Sequence, residues 1–242
     1  MHPSTPERTE AQDLAQDAAS GPLEAAFFDV DGTIVRTNLV HLYAYYAFNT
    51  GSLADTARRA AKLFASIPAW WAVDKVSRRK FNEAFFKSYE GLSIDRLEVL
   101  SRELFDEVLK DALFPRTLRL IEGARRQGAK IVIVTGALDF SIRPLAEYLQ
   151  ADDLIANKME FVRHKATGRV VPPLVEGASK AAHIRTWAER HGVNLSRCAA
   201  YTDSWSDYPM LAIVGHPTAV SPDLRLRAAA NRYRWPIVEV KE

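Results

Sequence analysis

Asp29-Val30-Asp31-Gly32-Thr33 places two carboxylates one residue apart at the end of the apolar run Ala25 to Val30. Strand residues alternate between faces, so acids two positions apart point to a common side. One can then serve as nucleophile or metal ligand while the other moves a proton. A solvated turn uses the same residue types, and the string alone leaves that alternative open. Thr135-Gly136 follows the apolar run Lys130 to Val134, and a hydroxyl beside a glycine amide ahead of a helix suits an anionic oxygen. Thr-Gly is also an ordinary turn. Lys180, just after Gly177 at a helix start, can bring positive charge to the same oxygen or lie in solvent. Thr202-Asp203-Ser204-Trp205-Ser206-Asp207 follows a third apolar run and carries two acids four positions apart. A hard cation such as Mg²⁺ takes oxygen ligands, which Asp203, Asp207 and Asp29 would supply. An acidic loop capping a helix through Asp207 is the competing use.

These groups meet only if the intervening chain returns each to one edge, and the hydrophobic pattern provides for that. After Pro115 the pattern predicts helix 116–127, strand 130–134, helix 140–149, helix 178–191 and strand 198–201, with short strands at 218–220 and 237–240. Alternating strands and helices imply an α/β fold with a doubly wound parallel sheet, in which ligands bind at the carboxyl ends of strands. Lys158 to Val171 reads as a hairpin beside the sheet, turning at Thr167-Gly168. From Thr37 to about Ala112 the periodicity is helical instead. Ile94, Leu97, Leu100, Leu104 and Val108 share a face behind Ser93 as N-cap, and further helices are predicted near 38–49, 53–66 and 78–88. The expected organisation is a tail at 1–22, polar and disordered, an α/β core at 23–36 plus 112–242, and an inserted all-helical subdomain at 37–111.

Composition limits the classes of function. The 242 residues are 48% hydrophobic and 26% charged, as in a globular protein with a sizeable core. Thirty-two basic against 30 acidic residues leave a net charge of +2, which gives nucleic-acid binding no support. Cys198 is the sole cysteine, so a disulfide or a cysteine zinc cluster within the chain is excluded, and it is expected to be buried. No apolar run has the length of a transmembrane segment and residues 1–22 lack a signal-peptide pattern, so cytoplasmic residence is the expectation.

Taken in order, Asp29-Val30-Asp31-Gly32-Thr33, Thr135, Lys180 and Asp203 with Asp207 resemble the four motifs of the haloacid dehalogenase superfamily of aspartyl phosphohydrolases. The resemblance runs from about residue 23 to 242 and implies that superfamily's Rossmann-like core. It implies a phosphatase acting on a small phosphorylated metabolite. Asp29 would form an aspartyl-phosphate, and Asp31 would protonate the leaving oxygen and then activate water. Mg²⁺ would be held by Asp29, the Asp31 carbonyl and Asp203 with Asp207 in support, while Thr135, Gly136 and Lys180 bind phosphate. An acid at position 31 favours phosphate chemistry over dehalogenation. The helical insertion is similar to the cap of the phosphoserine phosphatase-like branch, which selects the leaving group. The sequence departs from that branch at the start of the cap, Arg36-Thr37-Asn38-Leu39, which lacks its glutamate, and at Ser206, where asparagine is usual. Arg36 and Arg78 are candidates for a second anionic group on the substrate. Trp70-Trp71 could line an entrance, touch a lipid surface or only pack the cap. A phosphotransferase or phosphomutase, and a non-catalytic binding protein of this fold, are the alternatives, and the oligomeric state is left open.

Overall fold

The computed structural model describes residues 21–36, 45–46 and 86–240. The expected tail up to residue 20, Arg78, Trp70-Trp71 and nearly all of the helices expected at 38–49, 53–66 and 78–88 lie outside the described residues. The strands are β1 (Ala25–Phe28), β2 (Lys130–Leu138), β3 (Asp153–Asn157), β4 (Met159–Val162), β5 (Lys165–Val170), β6 (Cys198–Thr202), β7 (His216–Val220) and β8 (Ile237–Val238). Six form a parallel sheet in the order β3-β2-β1-β6-β7-β8, and β4 and β5 form a separate antiparallel pair.

β1 lies between β2 and β6 and is buried on both faces, which is why it is an uninterrupted apolar run. Ala25 and Phe27 join a cluster with Val132, Ile184 and Trp187, and Ala26 and Phe28 join another with Ile133, Ile121 and Leu145. Phe27 meets Trp187 edge-on at 5.4 Å, and Phe28 stacks on Tyr201 at 4.3 Å. The helices are α1 (Ile94–Leu104), α2 (Pro115–Arg126), α3 (Asp139–Tyr148), α4 (Ala178–His191), α5 (Tyr208–Ala212) and α6 (Leu224–Tyr233). Apolar residues of α2 and α3 pack with the Phe28 side of the sheet, and those of α4, α5 and α6 with the Phe27 side. The sheet is thus doubly wound, and β1, with neighbours leading away in both directions, marks the switch point where such folds bind ligands.

Two local expectations are corrected, and one strand is added. The Ser93 hydroxyl accepts the Arg96 N–H at 3.3 Å as an N-cap should, and Leu97, Leu100 and Leu104 are buried. A π-helical turn over Phe105–Leu109 then shifts the phase, so Leu109 rather than Val108 is fully buried. The hairpin turns at Arg163-His164, both with positive φ, and not at Thr167-Gly168, which lies within β5. Gly168 serves a close approach instead, since a Cβ there would stand 2.8 Å from Lys87 Cα. β3, which the sequence pattern did not separate from its surroundings, forms the sheet edge, and its pairing with β2 jumps from Ile155↔Val134 to Asn157↔Leu138. The surplus residues of β2, Thr135-Gly136-Ala137, form a bulge there.

Tyr46, from the inserted stretch, is tied to the core side. It is buried among Tyr89 and Phe140 and donates its hydroxyl to Ser141 Oγ at 3.0 Å, at the start of α3. Cys198 is buried as expected, and burial pushes its thiol up to about 11. Among the described residues no helix is long and apolar enough to cross a membrane.

Candidate active site

The parallel register of β2, β1 and β6 brings Thr135, Asp29 and Asp203 to the same edge of the sheet. β1 delivers Asp29, whose N–H still bonds Tyr201 O at 3.0 Å in continuation of the ladder. The chain then folds tightly on itself. Val30 O accepts the N–H groups of Thr33, Ile34 and Val35, and Gly32 N–H donates to Val35 O at 2.8 Å. Gly32 has a φ of 77°, a conformation that costs glycine little. Its missing side chain matters more, because a Cβ there would fall 2.1 Å from Asp203 Oδ2. Asp203 is therefore seated directly against the loop that carries Asp29 and Asp31.

Lys180 holds the centre. It sits in the first turn of α4 behind Gly177, and its Nζ donates to Asp29 Oδ1 and Asp207 Oδ2, each at 2.6 Å. All three side chains are buried. Asp207 Oδ2 also accepts from Thr202 Oγ1 at 3.2 Å, and its other oxygen from Ser206 Oγ at 3.4 Å. The solvated lysine is not what the fold builds. Nor does the Asp207 side chain cap α5, although its backbone stands at the N-cap position.

The charges explain the titration behaviour. Burial raises the Asp29 carboxyl, Lys180 opposes the rise, and the neighbouring charges of Asp207 and Asp203 add to it, leaving Asp29 at about 6. Burial works against a charged Lys180, but the carboxylates of Asp207 and Asp29 outweigh it and hold the ammonium well above its ordinary range. One ammonium between two buried carboxylates leaves a negative surplus beside Asp203.

Thr135 is fully buried, and its Oγ1 accepts the Ala137 N–H at 3.1 Å, which leaves the hydroxyl hydrogen available to another acceptor. Gly136 is partly exposed beside it. Asp31 is partly exposed. Arg36 is exposed, with its guanidinium 5.5 Å from the centre of the Phe114 ring. The sequence reading assigned nothing to Thr33, Thr202 or Asn157, although each lies in this network. Thr33 Oγ1 reaches Asp29 Oδ2 at 3.4 Å, and the Asn157 amide donates to Gly136 O at 2.7 Å. A polar residue ending the run Leu154-Ile155-Ala156 was the available signal for Asn157. Next to Ser206 and Gly177 opens a cavity of about 1080 Å³, walled by Lys87, Thr167, Pro172 and Leu174.

Residues 26–212 match the haloacid dehalogenase-like hydrolase family. The chain is 33% identical over 218 residues to phosphoserine phosphatase SerB1 of Mycobacterium tuberculosis, covering 88% of this chain and 70% of that protein. A crystal structure of a protein of unknown function from Bordetella pertussis Tohama I has a TM-score of 0.77 at 22% identity, covering 90% of this chain and 99% of that one. A structure described as a phospho-aspartyl intermediate analogue of phosphoserine phosphatase has a TM-score of 0.63 at 18% identity, covering 91% and 94%. The two structures share the fold. The chain belongs to the haloacid dehalogenase-like hydrolase family, on its phosphoserine phosphatase-like side, and is a hydrolase.

Proposed function

We propose that this protein is a Mg²⁺-dependent phosphatase that hydrolyses a small phosphate monoester through an aspartyl-phosphate on Asp29. One observation carries the reading: a buried ammonium, Lys180, is clamped between Asp29 and Asp207 at the carboxyl edge of a switch-point strand. The similarity to phosphoserine phosphatase SerB1, and to a phosphoserine phosphatase structure holding a phospho-aspartyl intermediate analogue, supports it.

Among the described residues no three His, Cys, Asp or Glu side chains gather into a metal cluster. The donor set still fits Mg²⁺, which favours oxygen ligands and keeps several waters, so few protein carboxylates suffice. Asp29, the Asp31 carbonyl and Asp203 would hold it, with Asp207 in support through Lys180. The seating of Asp203 against Gly32 and the negative surplus around Lys180 are what recommend them. When bound, the ion supplies positive charge to the phosphate and its attacking carboxylate.

The residues divide the remaining work. An Asp29 oxygen attacks phosphorus as the bond from phosphorus to the ester oxygen breaks, and Asp31 gives that oxygen a proton. Asp31 then takes a proton from water, whose oxygen displaces Asp29 from phosphorus and releases inorganic phosphate. Lys180 offsets the repulsion between carboxylate and phosphate, and the Thr135 hydroxyl and the Gly136 amide bind the other phosphate oxygens. Residues 37–111 form the cap that chooses the leaving group, with Arg36 and Arg78 as contacts for a second anionic group.

Phosphate release from a panel of serine, sugar, nucleotide, aromatic and lysolipid phosphates tests the reading. Activity is expected on at least one ester, falling by about a hundredfold or more with chelator, since the ion stabilises the transition state by several kcal/mol. Release that is indifferent to chelator removes Mg²⁺ from the proposal. Gly32→Ala should cost about a hundredfold and raise the Mg²⁺ concentration for half-maximal rate, because the new methyl must displace the Asp203 carboxylate. Native Mg²⁺ dependence in that variant would show that Asp203 does not serve the metal.

A further inference from the structure

We propose that Asn157 is a positioning residue, which sets the Thr135-Gly136 bulge and locks it to the chain segment that delivers Lys180. This rests on the phosphatase reading above. Asn157 ends β3 opposite the place where β2 departs from regular pairing. At such a bulge the ladder bonds are lost, and backbone groups need other partners. The Asn157 side chain provides them. Its amide nitrogen donates to Gly136 O at 2.7 Å and to Val175 O at 3.4 Å, and its carbonyl accepts the Val175 N–H at 2.9 Å. Asn157 is 2% exposed, so water does not substitute for it.

The two segments it joins also touch each other. A Cβ on Gly136 would lie 3.3 Å from Val175 O, so the bulge and the approach to α4 are already at close quarters. From Val175 the chain runs through Gly177, whose own added Cβ would meet Ser206 O at 3.5 Å, and reaches Lys180 in the first turn of α4. One buried amide therefore fixes the distance between the hydroxyl and glycine amide that hold phosphate and the ammonium that faces it. Only an amide fits both needs, because the site requires a donor toward two carbonyls and an acceptor toward an N–H. A carboxylate has no hydrogen to donate, and a methyl meets neither need.

The test compares native protein with Asn157→Ala and Asn157→Asp for kcat and KM on the best ester, for inhibition by orthovanadate, and for melting by circular dichroism. In folded Asn157→Ala, kcat/KM should fall by about 10- to 100-fold, the effect of displacing binding groups by an ångström or less. Orthovanadate inhibition should weaken in parallel, since it uses the same oxygen-binding groups. Asn157→Asp should be the poorer variant at about pH 8 and approach native activity toward about pH 5.5, where a protonated carboxyl can again donate to Gly136 O. A lower melting temperature with kcat/KM and vanadate inhibition within about twofold of native, measured on folded protein, overturns the proposal. So does loss of fold in both variants, which would make Asn157 a core residue only. Failure of the phosphatase reading appears separately, as native protein that releases no phosphate from any ester and is not inhibited by vanadate.

Discussion

Asp29→Asn is expected to abolish phosphate release, by at least about a thousandfold, and to leave the metal-free protein as stable as the native chain or more so. The first half follows from the role proposed for the carboxylate, since an amide oxygen cannot form the aspartyl-phosphate. The second follows from burial. Lys180 carries one positive charge between Asp29 and Asp207, and all three are enclosed. Removing one carboxylate balances the pair that remains. The Asp29 carboxyl stands at about 6 when folded against an ordinary value of 3.8. A carboxyl raised in this way favours the fold when protonated, fully below its unfolded value, and that contribution is lost as pH rises through its folded value. The advantage of Asp29→Asn in melting temperature should accordingly be larger at pH 8 than near pH 5. Melting curves in chelator across that range, set beside phosphate release, read both halves together. A variant that melts well below native at pH 8 would show that Asp29 serves the fold through Lys180 more than it burdens it. Retained activity would take the nucleophile's role away from Asp29.

The parts of this site legible in the sequence are those set by runs of neighbours. Ala25 to Phe28 is apolar throughout because β1 is covered on both faces, and the acids after it mark its carboxyl end. Alternation of strands with helices is enough to place Thr135 and Asp203 on the same edge. The distant pairings were not legible. That Lys180 is clamped, and not solvated, depends on α4 packing its apolar side through Ile184 and Trp187 onto the sheet, which turns its first residues toward Asp29. The hairpin turn was misplaced because Thr167-Gly168 has the more turn-like residues, whereas Gly168 answers to the Lys87 backbone across a gap no local pattern reveals. A 3.6-residue period groups Val108 with Leu97, Leu100 and Leu104; the π-turn leaves it partly buried against the same core and puts Leu109 fully inside. Asn157 escaped notice for a related reason: its partners, Gly136 and Val175, lie 21 and 18 residues away, and the bulge that calls for them exists only once β2 and β3 pair.

Lys180→Met should lose both activity and stability, in contrast to Asp29→Asn. Methionine fills a similar volume but leaves Asp29 and Asp207 facing each other in the interior without their cation. Breaking a buried pair by removing one partner costs about 3–5 kcal/mol. In a chain of this size that corresponds to a melting temperature lower by roughly 6–20 °C. The phosphate also loses the charge that faces it, and the rate should fall by about a hundred- to a thousandfold. Without the ammonium the Asp29 carboxyl rises further, and protonating it relieves the repulsion between the two acids. The stability deficit should then be greatest at pH 8 and shrink as pH falls through the raised Asp29 value. Adding Asp207→Asn to Lys180→Met removes one of the opposed charges. The double variant should recover most of the stability and none of the activity, and that non-additivity measures the coupling directly. If Lys180→Met alone melts like the native protein in chelator at pH 8, the two carboxylates are not held against each other by the fold. If the double variant regains phosphate release, Lys180 matters to the site only as a counterion for Asp207.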